Sequence, residues 1–187
     1  MKLRTFAPEK LDLAAFARDG ACLDGDWPAA SLLRVADSAA IDAPVQGWPA
    51  VRWHLRGELR KAKGNVEETQ TWLHVTASAQ VALTCQRCLQ PVQEHIDLDR
   101  WIRFVDNEAE AAALDSDSDD DVLALPRHLD ARELVEDEIL LALPLVPRHE
   151  ACPEPLTHTE PDEPSAEDAE RPNPFAALAA LKRSGTG

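Results

Sequence analysis

The chain lacks a long hydrophobic run, and this limits where it is expected to act. Its longest apolar stretch, Ile139 to Val146, is interrupted by Pro144 and is too short to span a bilayer. Lys2 and Arg4 are not followed by an apolar segment, so we expect no signal peptide. These features predict a soluble, cytoplasmic protein with no membrane contact.

Cysteine and aromatic residues are also scarce. Among 187 residues there are four cysteines at irregular spacing, five tryptophans and no tyrosine. Such spacing is not typical of a secreted disulfide framework, so we expect reduced thiols. The hydrophobic content of 44% is sufficient for a packed core, and the length suits one domain with tails.

Motifs of several large enzyme classes are missing. There is no glycine-rich phosphate loop, no Gly-x-Ser-x-Gly and no histidine pair at metalloprotease spacing. Glu136-Asp137-Glu138 falls in a predicted helix, where adjacent carboxylates point in different directions, so we interpret it as a solvated face. The acidic residues between 115 and 121 lack the glycine and terminal glutamate of a calcium loop. We therefore predict that the protein is not an enzyme.

The chain has no basic excess, because its net charge is −15. That charge is uneven: residues 1–105 sum to zero, residues 106–170 carry −18 and residues 171–187 carry +3. An acidic protein repels polyanions as a whole, but the neutral first half can carry a local basic face.

Residues 50–105 show the alternation of half-buried strands. Short turns separate three such stretches, which predicts an antiparallel meander. Further along, Asp130 and Glu133 form a capping box for a helix that ends before Pro144. A sheet with one apolar face must bury it, so we expect this helix to pack on the meander in an α+β fold.

Other segments complete one predicted domain over residues 1–152. Two short N-terminal helices are expected, at Pro8–Arg18 and Ala29–Ala40, with a turn at Asp24–Pro28 between them. The acidic stretch 106–121 is predicted to be a flexible loop, and residues 153–171 a disordered linker. Residues 172–187 are predicted to form a docking motif, with an apolar stripe of Phe175, Leu178 and Leu181 that packs on a partner or on this domain.

Cys85 and Cys88 form a Cys-x-x-Cys turn between two predicted strands. Two thiolates are half of a tetrahedral zinc shell, and Cys152 with His149 could supply the remainder. The alternative is a plain hairpin turn with reduced thiols and no metal.

One face of the meander mixes cations with aromatic residues, a pattern that binds RNA through phosphate contacts and base stacking. The alternative is that the N-terminal helices cover Trp72 and Trp101 and that the charges are solvated. The candidate RNA-binding residues, with those of the adjoining turns, are Arg52, His54, Arg56, Arg60, Lys61, Lys63, Trp72, His74, Arg87, Trp101 and Arg103.

Three stretches together resemble the bacterial YceD family, the large ribosomal RNA subunit accumulation proteins. They are the cysteine turn Leu83–Leu89, the helix Leu134–Pro144 and the tail Pro172–Arg183. The resemblance implies a non-enzymatic factor for synthesis, processing or stability of 23S rRNA, with that rRNA or its precursor as partner. The alternative is a protein-interaction adaptor that recruits an rRNA processing enzyme or a basic ribosomal protein through the acidic segments.

Overall fold

A computed structural model of the chain describes residues 4–62, 65–115 and 120–153, and residues Met1–Pro153 cluster as one compact unit. Five strands form one sheet in chain order. They are β1 (Cys22–Trp27), β2 (Val51–Ala62), β3 (Asn65–Thr84), β4 (Pro91–Val105) and β5 (Asp121–Ala124). Neighbours from β1 to β4 are antiparallel, whereas β5 runs parallel to β4. The predicted α+β fold and the meander over 50–105 are confirmed.

Four α-helices accompany the sheet: α1 (Leu13–Arg18), α2 (Leu33–Asp37), α3 (Glu108–Asp115) and α4 (Ala131–Ala142). Short 3-10 turns lie at Pro8–Lys10, Ala29–Ser31 and Val45–Gly47. The two predicted N-terminal helices are each split into a 3-10 turn and a short α-helix. No helix in the described ranges is long and apolar enough to cross a membrane.

The sheet has two unlike faces, which we call inner and outer. Inner-face residues such as Leu55, Leu73 and Ile102 are fully buried and form one core with Phe16 of α1 and Ile139 of α4. At Gly57 an added Cβ would lie 2.7 Å from the Phe16 ring and 2.8 Å from the backbone of Ala17. Only glycine allows this close approach, so α1 is seated directly on β2.

Helix α4 begins as predicted. The Asp130 carboxylate accepts hydrogen bonds from the N–H groups of Arg132 at 2.9 Å and Glu133 at 3.2 Å, which satisfies two free donors of the first turn. Leu134, Val135 and Ile139 are buried, so the apolar stripe faces the sheet.

The interpretation of Glu136 as part of a solvated face was wrong. Glu136 is only 8% exposed, and its carboxylate accepts from the N–H groups of Arg34 at 2.6 Å and Val35 at 3.3 Å. The Arg34 guanidinium bonds both Glu136 and Asp137; these bonds, led by the one to Asp137, raise the Arg34 pKa. Glu136 therefore supplies the N-terminal cap that α2 lacks in its own sequence.

Two further predictions need correction. The expected turn at Asp24–Pro28 is mostly strand β1, because Gly25 opposes Trp53 and leaves room for its ring, 3.0 Å from the position of a Cβ. Within the expected loop 106–121, residues 108–115 form α3, where Ala111 packs with Val105 and Val122. Residues 116–119 of that loop, the predicted linker 153–171 apart from Pro153, and the motif 172–187 lie outside the described residues.

Candidate RNA-binding face and metal cluster

The outer face carries a stack of aromatic rings and one guanidinium, built by facing residues of β2, β3 and β4. His74 is directly opposite Trp101, and their rings stack at 4.3 Å with an angle of 11°. The Arg60 guanidinium carbon lies 3.7 Å from the Trp101 ring centroid and 4.5 Å from that of Trp72. Ring–cation contacts of this kind hold a guanidinium flat and in place. We call Arg60, Trp72, His74 and Trp101 the stack.

Cations without an ion pair lie beside the stack and at the opposite end of the sheet. Lys61 and Arg103 lie at its end of the sheet and Arg52 at the other, and none of the three has a carboxylate within 4.0 Å in the described part of the chain. The Nε atom of Arg103 is buried and has no hydrogen-bond partner. Among the described residues these charges are therefore not paired with a carboxylate, which favours an anionic ligand.

Acidic groups share this face, but most are engaged. Glu58 lies between Arg56 at 3.6 Å and Arg60 at 3.2 Å. Asp99 contacts His74 at 2.7 Å, and Asp97 contacts His95 at 3.0 Å. Pairing limits the repulsion that these carboxylates exert on a polyanion.

The structure places the predicted RNA-binding residues in different parts of the molecule. The alternative in which the N-terminal helices cover Trp72 and Trp101 is wrong, because α1 and α2 pack on the inner face with residues such as Leu55. Arg87 lies in the cysteine turn, away from the stack, and Lys63 lies outside the described residues. The sheet brings together on its outer face Arg52, His54, Arg56, Arg60, Trp72, His74, Trp101 and Arg103. Lys61 follows Arg60 at the end of β2 and therefore has the parity of the opposite face.

The cysteine turn and a segment after α4 form a second site. The ligand atoms of Cys85, Cys88, His149 and Cys152 all lie within 4.8 Å of one another, so these residues could hold a metal ion. The Gln86 N–H donates to Pro147 O at 2.9 Å, which draws the later segment against the turn. We call these four residues the metal cluster.

Hydrogen bonds orient His149 for coordination. Its Nε2 lies 3.0 Å from Pro91 O, which fits an N–H donated to the carbonyl. That tautomer leaves Nδ1 with a free lone pair, 3.4 Å from Cys88 Sγ. A backbone partner of this type is usual for a metal-bound histidine.

The thiols of the turn differ in their electrostatics. Burial tends to raise the pKa of Cys85, but the backbone N–H groups of Cys88, His149 and Arg87 lower it, and the net pKa is about 5. Burial raises the pKa of Cys88, and the neighbouring thiols of Cys152 and Cys85 act in the same direction. Cys85 is therefore poised as a thiolate at neutral pH, which is the form that binds metals.

Arg87 has a role that the sequence did not indicate. Its Nε donates to Cys152 Sγ at 3.0 Å, and Nη2 donates to the carbonyl oxygens of His149 at 2.9 Å and Glu150 at 3.3 Å. The bond to Cys152 raises the Arg87 pKa. Arg87 thus holds the second half of the cluster against the first.

Sequence reasoning also missed a group of polar residues at the far end of the outer face. Asp26 was assigned to a turn, although exposed Cys22, Asp24 and Asp26 alternate with Leu23, Gly25 and Trp27. That alternation was the available signal, and the glycine and aspartates obscured it.

Comparison with known proteins identifies the family. A family model described as large ribosomal RNA subunit accumulation protein YceD matches residues 73–182. A protein of that name from Haemophilus influenzae is 36% identical over 109 residues, which are 55% of this chain and 60% of the relative. No solved structure matches significantly. Since the family model covers more than half of the sequence, the predicted resemblance is confirmed, and the chain belongs to the YceD family.

Proposed function

We propose that the protein supports accumulation of large-subunit ribosomal RNA in the cytoplasm by binding 23S rRNA or its precursor, without catalysing a reaction. The family name and that of the Haemophilus relative support the pathway. The observation that carries RNA binding is the stack with its neighbouring unpaired cations.

The stack suits single-stranded rather than duplex RNA. Single strands are bound when bases stack on aromatic or guanidinium planes while cations neutralise phosphates. Arg60 is already held over Trp72 and Trp101, so less side-chain freedom is lost on binding. Arg103 supplies charge on the same face, and Lys61 supplies charge at the end of β2.

A salt titration of RNA binding tests the proposal. Purified protein is mixed with single-stranded fragments of large-subunit rRNA, and affinity is measured by fluorescence anisotropy over a range of salt. Changing Arg60, Lys61 and Arg103 to Ala should weaken binding and reduce the slope of log affinity against log salt by about one for each lost phosphate contact.

The matched control is Arg18→Ala together with Arg127→Ala. Both cations are exposed, and Arg18 is on α1, which packs on the inner face. The control should leave affinity and slope unchanged. Tight binding to a basic ribosomal protein with no affinity for any rRNA fragment would instead favour the adaptor function.

We also propose that the metal cluster holds a structural Zn²⁺. Three cysteines and one histidine form a closed tetrahedral set for zinc, with no position for a substrate. A zinc–sulfur bond of about 2.3 Å requires ligand atoms roughly 3.8 Å apart, which is compatible with the observed limit of 4.8 Å. Three thiolates and Zn²⁺ would leave one negative charge, and the Arg87 guanidinium beside Cys152 neutralises it.

Elemental analysis of protein purified without chelator tests the zinc proposal. We expect about one equivalent of zinc, and loss of most of it in Cys88→Ser and Cys152→Ser. Cys22→Ser is the matched control, because Cys22 is an exposed cysteine of β1 outside the cluster. Less than about a tenth of an equivalent in the unmodified protein would overturn this proposal.

A further inference from the structure

A cavity lined by both polar and apolar residues lies at the end of the outer face opposite the stack. Its volume is about 300 Å³. Loop residues Pro49 and Ala50 form one wall, and the polar lining consists of Asp26, Arg52, Ser78, Gln80 and His95. Asp26, Arg52 and Ser78 are consecutive neighbours across β1, β2 and β3, so three strands place these groups side by side.

The polar groups of the cavity are available to a ligand. In the described ranges, Asp26, Arg52, Ser78 and Gln80 make no side-chain hydrogen bond or ion pair. Asp26 and Arg52 are directly opposed across β1 and β2, yet they form no ion pair within 4.0 Å. The Asp26 carboxylate, which accepts hydrogen bonds, and the Arg52 guanidinium, which donates them, thus lie next to each other, and neither has a partner among the described residues.

The volume of the cavity and the chemistry of its polar groups together limit which ligand fits. Sites for small molecules span about 300–1,000 Å³, so this cavity suits a group as small as one nucleotide. A carboxylate only accepts hydrogen bonds and a guanidinium only donates them. Guanine matches both, because its O6 acceptor lies beside the N1–H and N2–H donors on one edge, and O6 with N7 also accepts an arginine fork. Adenine, cytosine and uracil do not offer two adjacent donors beside an acceptor.

We infer that this cavity binds a guanine base through Asp26 and Arg52. Asp26 accepts from the N1–H and N2–H groups, Arg52 donates to O6, and Ser78 and Gln80 lie beside the base for contacts to its ribose. The inference rests on the proposed RNA-binding function when the guanine belongs to a strand, but the same chemistry would bind a free guanine nucleotide.

The cavity and the stack can contact one strand of RNA. Arg52 and Arg60 are on the same face of β2, and the eight residues from one to the other span roughly 26 Å at about 3.3 Å per residue. A segment of several unpaired nucleotides covers that distance, within the range of single-strand sites on small sheets. The stack then binds bases of any type, and the cavity selects a guanine at one position.

The test compares three labelled RNA 8-mers by fluorescence anisotropy: uridine throughout, uridine with one central guanosine, and uridine with one central inosine, which lacks the N2 amino group. We expect the guanosine oligomer to bind about tenfold more tightly than the uridine oligomer, with inosine between them. GMP, but not AMP, should compete for this extra affinity.

Two substitutions assign the preference to the cavity. Asp26→Asn should remove the discrimination between guanosine and inosine, and Arg52→Lys should reduce the guanosine preference while keeping the charge. In Asp26→Asn, affinity for the uridine oligomer should change less than about twofold. Asp24→Asn, which removes an acid from the same strand and face outside the cavity, should keep the preference.

The outcomes separate this inference from the proposed function. Equal binding of the three oligomers overturns the guanine site and leaves RNA binding standing. Binding of GMP without binding of any oligomer supports the guanine site and overturns the RNA function. A preference for guanosine that survives Asp26→Asn places guanine recognition elsewhere, and absence of both GMP and RNA binding overturns both.

Discussion

The inner and outer faces of this sheet come from the same strands but differ in what their side chains do. Inner residues such as Leu73 and Val75 are fully buried under α1, α2 and α4. On the outer face the contacts are instead ring stacking, cation–ring contacts and ion pairs, mostly among partly exposed groups, although Trp72 is buried beneath Arg60. The comparison indicates that the inner face supplies most of the stability, which leaves the outer face available for the RNA binding that we propose.

The largest effect is expected on the inner face. Phe16→Ala removes a fully buried ring that contacts Gly57 of β2 and stacks edge-on with Phe6 at 5.1 Å. Loss of such a ring costs about 3–5 kcal/mol of unfolding free energy. Urea denaturation checks this, and a loss below about 1 kcal/mol would mean that α1 is not part of the core.

A smaller effect is expected where α4 meets α2. Glu136→Ala leaves the N–H groups of Arg34 and Val35 without their acceptor, which should cost about 1–2 kcal/mol, as for loss of a helix N-cap. The exposure of Arg34 reduces the contribution of the ion pair itself. Asp137→Ala is the control, and equal losses in the two variants would contradict the capping role.

A substitution on the outer face should reduce RNA binding more than it reduces stability. Trp101→Ala removes the centre of the stack, and the lost ring contacts should reduce stability by about 0.5–1.5 kcal/mol beyond the loss of the area that the ring buries. RNA affinity should fall by about 1–3 kcal/mol, the usual contribution of one base-stacking aromatic residue. Denaturation and anisotropy on the same preparation measure both quantities. A large stability loss with unchanged RNA binding would invert the roles of the two faces.

The cysteine turn provides the most specific test, because the expected effect depends on pH. In metal-free protein the Cys85 pKa of about 5 lies below its usual value, so the folded state binds fewer protons than the unfolded state. The resulting stabilisation is complete above the ordinary thiol pKa and is lost as pH falls through about 5. Chelator-treated protein and its Cys85→Ser variant should therefore converge in stability toward acid pH. A constant difference would show that Cys85 is a neutral thiol.

Local sequence patterns were sufficient for much of this protein. The alternation over 50–105, the Asp130 cap and the cysteine turn each depend on residues close together in the chain, so period and capping chemistry determine them. Family membership followed from three such local stretches. The RNA-binding candidates of the strands were also assigned correctly to one face, because side-chain parity in a strand does not depend on its neighbours.

Only the tertiary structure decided the features that join distant residues. Strand β1 forms because Gly25 admits Trp53, and α3 forms where Val105 and Val122 offer it an apolar surface. Glu136 is buried where it caps α2, 101 positions from Val35 in the sequence. The approach of His149 and Cys152 to the turn, and of Asp26 to Arg52, likewise depends on packing and register. Local composition specifies what a segment favours alone, whereas these contacts exist only when the surfaces that satisfy them are already assembled.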